Sequence, residues 1–392
     1  MTDRPISIVA CGHTRFGRLS DSTLEDLIVE AAREALADAG IEGSEIDQVF
    51  LGQFNSGLVP DGFAASLALQ ADPGLRFKPA TRCENACASG SAAIHAGINA
   101  IRAGDAELVL VIGAEKMTAN STADVTRALA GAGYQNDPEE AGYSFPQLFG
   151  LAAQQYQSRY QSPLSAMAAI ATKNHANAMA NPLAQMHKAM PFEHCNTVSE
   201  SNPYIAEPLR LTDCSLITDG AAALVLASPR VAQRFQRQVA FRGIAQINDL
   251  LPVAGRDLLA FEGPKRAMAS ALQRAGVGLD DIDFAEVHDC FTIAELLIYE
   301  AMGLAPQGQG HRALDDGIVQ AGGRLPVNLS GGLKAKGHPV GATGVSMHAL
   351  AFRQLTGNPI GLGVPGAEFG LLFNMGGMAV ANYASVLQAR RT

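Results

Sequence analysis

Four short segments carry residues able to do chemistry. The first is CENACASGSAA, in which Cys87 is followed by small residues and then a helical pattern. A thiol at a helix N-terminus faces the positive end of the macrodipole, which lowers its pKa and favours the nucleophilic thiolate. Cys83 lies four residues earlier, but CxxxC without a second Cys/His pair is a weak zinc signal, and no metal is expected. The second is SGGLKAKGHPVGATG, where His338 sits on a glycine-rich loop that opens a helix near Ala342. An imidazole in that place can take a thiol proton. Lys334 and Lys336 beside it read as a solvated pair, with phosphate binding as the sharper alternative. The third is VHDCF, which puts His288, Asp289 and Cys290 directly after the strand pattern FAEV. Ionisable groups at the C-terminal end of a buried strand occupy the usual place for active-site residues in α/β folds. The fourth is FNMGGMA, where Gly376 and Gly377 offer backbone N–H groups at an apolar strand end, for an oxyanion hole or a plain turn.

The elements that must position these groups alternate in type. ISIVA near residue 6, QVFLGQF, ELVLVIGA and AAALVLAS read as strands, and the stretches between them have helical period. STLEDLIVEAAREALADA reads as a helix from Ser22 to Ala39, with Glu25 completing a capping box and Gly40 as its stop. Such alternation predicts an α/β architecture. An internal repeat organises it. ALADAGIEGSEID and ALQRAGVGLDDID match at a constant offset, Ala35 with Ala271, Gly40 with Gly276 and Asp47 with Asp283. The helix and strand around Cys87 are echoed by the helix after His338 and the strand FGLLFNMGG. If the duplicated halves pack face to face, the two helix starts converge and pair Cys87 with His338. Two halves are therefore expected, residues 1–232 and 233–392. The first carries an inserted stretch at about 118–208, rich in Ala, Gln, Asn, Met and Tyr, of the kind that forms a lid or substrate surface.

Composition narrows the classes. The chain has 392 residues, 47% hydrophobic and 17% charged, which excludes a disordered chain. Lys+Arg 29 against Asp+Glu 38 gives a net charge of −9, which argues against nucleic acid as a partner. Six cysteines are too sparse for a disulfide scaffold. No stretch approaches the ~18 apolar residues of a membrane span, and neither end reads as a targeting signal. A cytoplasmic enzyme is expected.

In this order and spacing the four segments resemble those of the thiolase superfamily, over essentially the whole chain. The Cys87 segment is similar to the nucleophile motif, and GHPVGATG to the histidine motif. HDCF resembles the sterol-carrier-protein-type branch, where most thiolases have NEAF. One departure stands out. A late CxG cysteine is missing, because Asn374, Met375 and Gly376 occupy that place. The resemblance implies that Cys290 replaces it as the acid/base at the substrate α-carbon, a task suited to a thiol of reference pKa about 8.5. It implies a thiolase-like fold, two α/β halves packed as an α-β-α-β-α sandwich with an inserted loop domain. It further implies cleavage of 3-oxoacyl-CoA by CoA, or the reverse condensation of acyl-CoA with acetyl-CoA, through an acyl-Cys87 intermediate with His338 as base. His288 and His338 would meet the enolate oxygen, and the N–H groups of Cys87 and Gly376 the tetrahedral oxygen. CoA and acyl-CoA are substrates, with no resident cofactor or metal, and the assembly implied is a homodimer or homotetramer.

Met167 and Phe149 in the insertion are expected either to line an acyl tunnel or to be ordinary core. Arg210, Lys173, Lys188 and Arg256 are candidates for the CoA 3′-phosphate. Two other functions stay open. One is a retro-aldol carbon–carbon lyase of the same fold, working with a small zinc-ribbon/OB-fold partner protein. The other is a non-catalytic scaffold subunit. The intact Cys87 weighs against the lyase, and HDCF explains the missing cysteine more economically than loss of activity.

Overall fold

The computed structural model describes residues 5–390. The first half begins with β1 (Ser7–His13), α1 (Leu24–Ala39), β2 (Gln48–Gly52), α2 (Ala64–Leu67), β3 (Ala80–Cys83), α3 (Ser89–Ala103) and β4 (Leu108–Glu115). The inserted stretch holds α4 (Thr122–Ala130), α5 (Phe145–Arg159), α6 (Leu164–Ala178), α7 (Phe192–Asn196), β5 (Tyr204–Ala206) and β6 (Leu209–Arg210). β7 (Gly220–Ala227) then completes the half. The second half runs β8 (Val239–Asn248), α8 (Glu262–Ala275), β9 (Phe284–Val287), α9 (Thr292–Met302), α10 (Arg312–Asp315), α11 (Thr343–Leu355), β10 (Phe369–Gly376) and β11 (Ala381–Ala389).

The repeat read from sequence is visible in the strand order, β3-β2-β4-β7-β1-β8-β11-β10-β9. Read outward from the β1/β8 junction, both halves follow the same plan. An antiparallel pair (β1 with β7, β8 with β11) is followed by a second antiparallel pair (β7 with β4, β11 with β10). A parallel pair follows in each half, β4 with β2 and β10 with β9, and the first half adds β3 parallel to β2 at the edge. The halves share one ladder, joined at the junction by the register pairs Ser7↔Ala240 and Ile8↔Val239. In the first half the insertion stands between β4 and β7. In the second half the equivalent strands β10 and β11 are joined by a tight turn at Gly377–Val380.

Helices complete five layers. α1 covers β1, β4 and β7 on one outer side, and α8 covers β8, β10 and β11 on the other. Between the halves, α11 lies against β1, β4 and β7 of one and β10 and β11 of the other, with α3 alongside. Being covered on both sides, β4 and β7 are buried throughout, and apolar except for terminal Glu115, which is why they read as continuous hydrophobic runs. α1 begins one residue later than expected. Its cap is Thr23, whose hydroxyl accepts from Asp26 N while Asp26 returns a bond to Thr23 N. Ser-Thr and Glu-Asp are adjacent pairs here, so the box can close in either of two frames. The frame used buries Leu24, Leu27, Ile28, Ala31 and Ala35.

Candidate active site

Three helix starts converge, as the duplication requires. Cys87 lies two residues before α3, Cys290 two before α9, and His338 on the loop before α11. α3 and α11 approach closely at their first turns, at Gly90 and Gly344. A Cβ on Gly344 would lie 2.4 Å from Ser91 N, and one on Gly90 would lie 2.8 Å from Gly341 O. Only glycine permits this crossing, and it brings the Cys87 and His338 loops together. The Cys87 sulfur and the ring nitrogens of His288 and His338 lie within 4.8 Å of one another. The two imidazoles meet edge to face, with centroids 5.0 Å apart.

The Cys87 loop is tight. Asn85 N donates to Ser89 Oγ at 2.9 Å, and that hydroxyl donates to Ala86 O at 2.6 Å. Ala86 sits at φ +50°, the left-handed backbone that non-glycine residues adopt rarely and mostly at functional sites. Burial, with the Glu115 carboxylate adding to it, pushes the Cys87 thiol up to about 12. The direction is opposite to that expected from a helix start, and α3 begins only at Ser89. The Gly377 N–H faces the sulfur and opposes the shift. Gly377 thus adds a backbone donor beside Cys87, next to the expected Gly376. A Cβ on Gly376 would lie 2.2 Å from Asn85 O and displace the nucleophile loop.

His338 is buried and held down to about 3 by desolvation and by the Lys336 ammonium. Its Nδ1 lies 2.7 Å from Thr343 Oγ1. Lys334 and Lys336 are not a solvated pair. Both are buried, at 3% and 1% exposure, in the single π-helical turn Gly332–Lys336 that leads into His338. His288 is pushed well below the usual imidazole range by burial and by His338, and its Nδ1 is 2.9 Å from Asn374 Nδ2. Cys290 is raised well above the ordinary thiol range, by burial first and then by Cys87 and Asp289. Asp289 acts as a clamp. Its carboxylate accepts from Leu333 N at 2.6 Å, Lys334 N at 3.2 Å and Asn174 Nδ2 at 2.7 Å, tying the β9 end to the His338 loop and to α6. Burial and Glu295 raise it to about 7.

Cys87, His288 and His338 are also residue types that bind zinc. Ligation would require the Cys87 thiolate, the same species that acts as the nucleophile.

Other expected residues lie elsewhere. Met167 and Phe149 are fully enclosed in the main core, where Phe149 stacks on Phe291 at 4.5 Å between centroids. Sequence reading missed the apolar wall that does touch Cys87. Phe54, Leu58, Met117, Val125 and Val340 form a separate cluster against which Cys87, Leu129 and Ile217 pack. These residues come from four distant loops and helices, so no local pattern announces them. A cavity of about 520 Å³ opens beside this wall, lined by Phe54, Arg82, Ala86, Ala132, Gly377 and Val380 among others. Of the phosphate candidates, Arg210 is paired with Asp213 and Lys173 with Glu295, both in buried ion pairs. Arg256 is half-buried and donates to Met378 O at 2.7 Å. Lys188 stays exposed.

Comparison with known proteins agrees with this geometry. The thiolase N-terminal domain family matches residues 6–230, and the thiolase C-terminal domain-like family matches residues 248–389. The chain belongs to the thiolase family. It is 36% identical to an acetyl-CoA acetyltransferase of Methanothermobacter thermautotrophicus over 95% of this chain and 97% of that one. It is 33% identical to human sterol carrier protein 2 over 96% of this chain and 70% of that one. A solved structure titled Ltp2-ChsH2(DUF35) aldolase superposes with a TM-score of 0.84 at 22% identity, covering 99% of this chain and 98% of that one, which is a likeness of fold. The protein is a thiolase-type acyltransferase. Among the described residues no helix is long and apolar enough to cross a membrane.

Proposed function

We propose that the protein moves acyl groups between CoA thioesters by way of acyl-Cys87, cleaving 3-oxoacyl-CoA with CoA or running the reverse condensation. The observation that carries this reading is the gathering of Cys87, His288 and His338 within 4.8 Å, with Cys290 close enough to shift with the Cys87 charge.

In cleavage, His338 takes the Cys87 proton as the sulfur attacks the 3-oxo carbonyl. The N–H groups of Cys87 and Gly377 meet the tetrahedral oxygen. Its collapse breaks the carbon–carbon bond, and the electron pair moves onto the acetyl-CoA enolate. Cys290, kept as a thiol by its buried surroundings, gives its proton to the α-carbon and becomes a thiolate. Free CoA then returns a proton to Cys290 and attacks acyl-Cys87. The departing Cys87 sulfur recovers its proton from His338, and every group is restored. The neutral resting pair means that proton transfer accompanies attack, with no standing thiolate–imidazolium ion pair. The apolar wall of Phe54, Met117, Val125 and Val340 is the surface we assign to the acyl group. CoA is a substrate, and no step requires a resident cofactor or metal.

All six cysteines are unpaired, which supports a reducing compartment such as the cytoplasm. β3 stands at the sheet edge, with Phe77 85% exposed just before it, which supports a homodimer or a larger assembly of dimers. The test is CoA dependence. The purified protein should cleave 3-oxoacyl-CoA only with free CoA, giving acetyl-CoA and the shortened acyl-CoA. The likeness to the aldolase structure keeps one second reading, a lyase requiring a small zinc-ribbon/OB-fold partner. Cleavage of a β-hydroxyacyl-CoA without CoA would favour that reading instead.

A further inference from the structure

Asn374 occupies the position at which most thiolases resembled by this chain carry a second cysteine, and it is buried at 1% exposure on β10. Its contacts fix its orientation. The Nδ2 atom lies 3.2 Å from Cys87 O and 2.9 Å from His288 Nδ1, and Oδ1 lies 2.7 Å from Ser91 Oγ. A carbonyl oxygen only accepts, so the atom facing Cys87 O is the amide nitrogen. Its two hydrogens go to Cys87 O and to His288 Nδ1. The Nδ1 of His288 is then an acceptor, and the neutral ring carries its hydrogen on Nε2.

His338 is set the opposite way. The Thr343 hydroxyl lies 3.1 Å from Pro339 O, which can only accept, so its single hydrogen is committed there. Thr343 Oγ1 therefore accepts from His338 Nδ1–H, and His338 Nε2 is a bare lone pair. Two imidazoles at 5.0 Å thus hold opposite roles, one base and one donor. Among the described residues no carboxylate is bonded to His288. Asp289, next in the chain, is turned to Leu333 N, Lys334 N and Asn174, and the groups gathered with His288 are His338 and Cys87.

We propose that Asn374 is a positioning residue that holds His288 in its Nε2–H form, making His288 the hydrogen-bond donor to the acetyl-CoA enolate oxygen while His338 remains the base. This rests on the acyl-Cys87 reading and names the residue that divides the work between its two histidines. A cysteine at this position has one weak donor and cannot bond both Cys87 O and His288. The loss of the late cysteine and the presence of a histidine in HDCF are then one linked change.

The test separates enolisation from acyl transfer. Enolisation is read as deuterium entering the methyl group of acetyl-CoA in D2O, and acylation as the mass of acyl-Cys87. Asn374→Leu should slow exchange by on the order of 10²-fold, the cost of losing one preorganised donor, with acylation slowed clearly less. In Asn374→Asp the carboxylate would take a hydrogen from His288 Nδ1, leaving Nε2 bare until the ring is protonated. The ratio of variant to wild-type exchange should then rise as pH falls. Wild-type exchange in Asn374→Leu, or a pH-independent ratio in Asn374→Asp, would overturn the proposal. Equal loss of exchange and acylation in Asn374→Leu would also overturn it, leaving Asn374 a tether of the Cys87 loop. Absence of acyl-Cys87 in the wild-type protein would instead sink the parent reading.

Discussion

Replacing Thr343 by valine removes the acceptor that holds His338 without changing the shape of the side chain. Thr343 is 1% exposed, so water has little access to replace its hydroxyl. In the resting enzyme the 2.7 Å bond joins neutral partners and is worth about 1 kcal/mol net. When His338 takes the Cys87 proton, the same bond becomes charge-assisted and roughly doubles in strength. The neutral bond is lost from the resting state too, so the barrier to acylation should rise by the difference, about 1 kcal/mol, a slowing of roughly 5-fold. Stability should also fall by about 1–2 kcal/mol, because a buried N–H loses its partner. Single-turnover release of acetyl-CoA from 3-oxoacyl-CoA reads the acylation step, and a thermal melt reads the stability. Thr343→Ser keeps the hydroxyl and should stay near wild type, with KM little altered in either variant. If Thr343→Val acylated at the wild-type rate, His338 would not be the base, or its ring would be fixed by another group.

Cys290→Ala should form acyl-Cys87 from an acyl-CoA yet lose deuterium exchange into acetyl-CoA by at least about 10²-fold, since Cys290 is the proposed acid/base at the α-carbon. Loss of both reactions would place Cys290 in the acylation step. Alkylation of Cys87 by iodoacetamide should rise about tenfold per pH unit from pH 7 to 10, because a thiol raised to about 12 supplies thiolate only as pH increases. A plateau near neutrality would reveal a standing thiolate–imidazolium pair. Gly376→Ala should destabilise the protein by about 1–3 kcal/mol and slow acylation, as its Cβ forces Asn85 away from 2.2 Å. A variant with unchanged melting and rate would deny the loop its dependence on that approach.

Much of this was legible in the residues because duplication leaves a pattern. The matched pairs Gly40/Gly276 and Asp47/Asp283 announced two equivalent halves, and the strand order repeats them. Cys87, His288, Cys290 and His338 stand at strand ends or helix starts, where local sequence shows them. What stayed hidden depends on environment. Burial raises the Cys87 thiol, where a helix start alone suggests a lowered one. Lys334 and Lys336 look like a surface pair, yet a π turn folds both inward. A glycine pair does not reveal that the Gly377 N–H is the one facing the sulfur. The Asn374 amide looked like a lost cysteine until its three partners, Cys87, His288 and Ser91, were in view.

The mechanism stands or falls on acylation of Cys87. The decisive measurement is intact-protein and peptide mass spectrometry after brief mixing with acetyl-CoA and an acid quench. One added acetyl group per chain is expected, on the peptide containing Cys87, absent from Cys87→Ala and removed by added CoA. An unmodified Cys87 in a protein that still cleaves its substrate would contradict it.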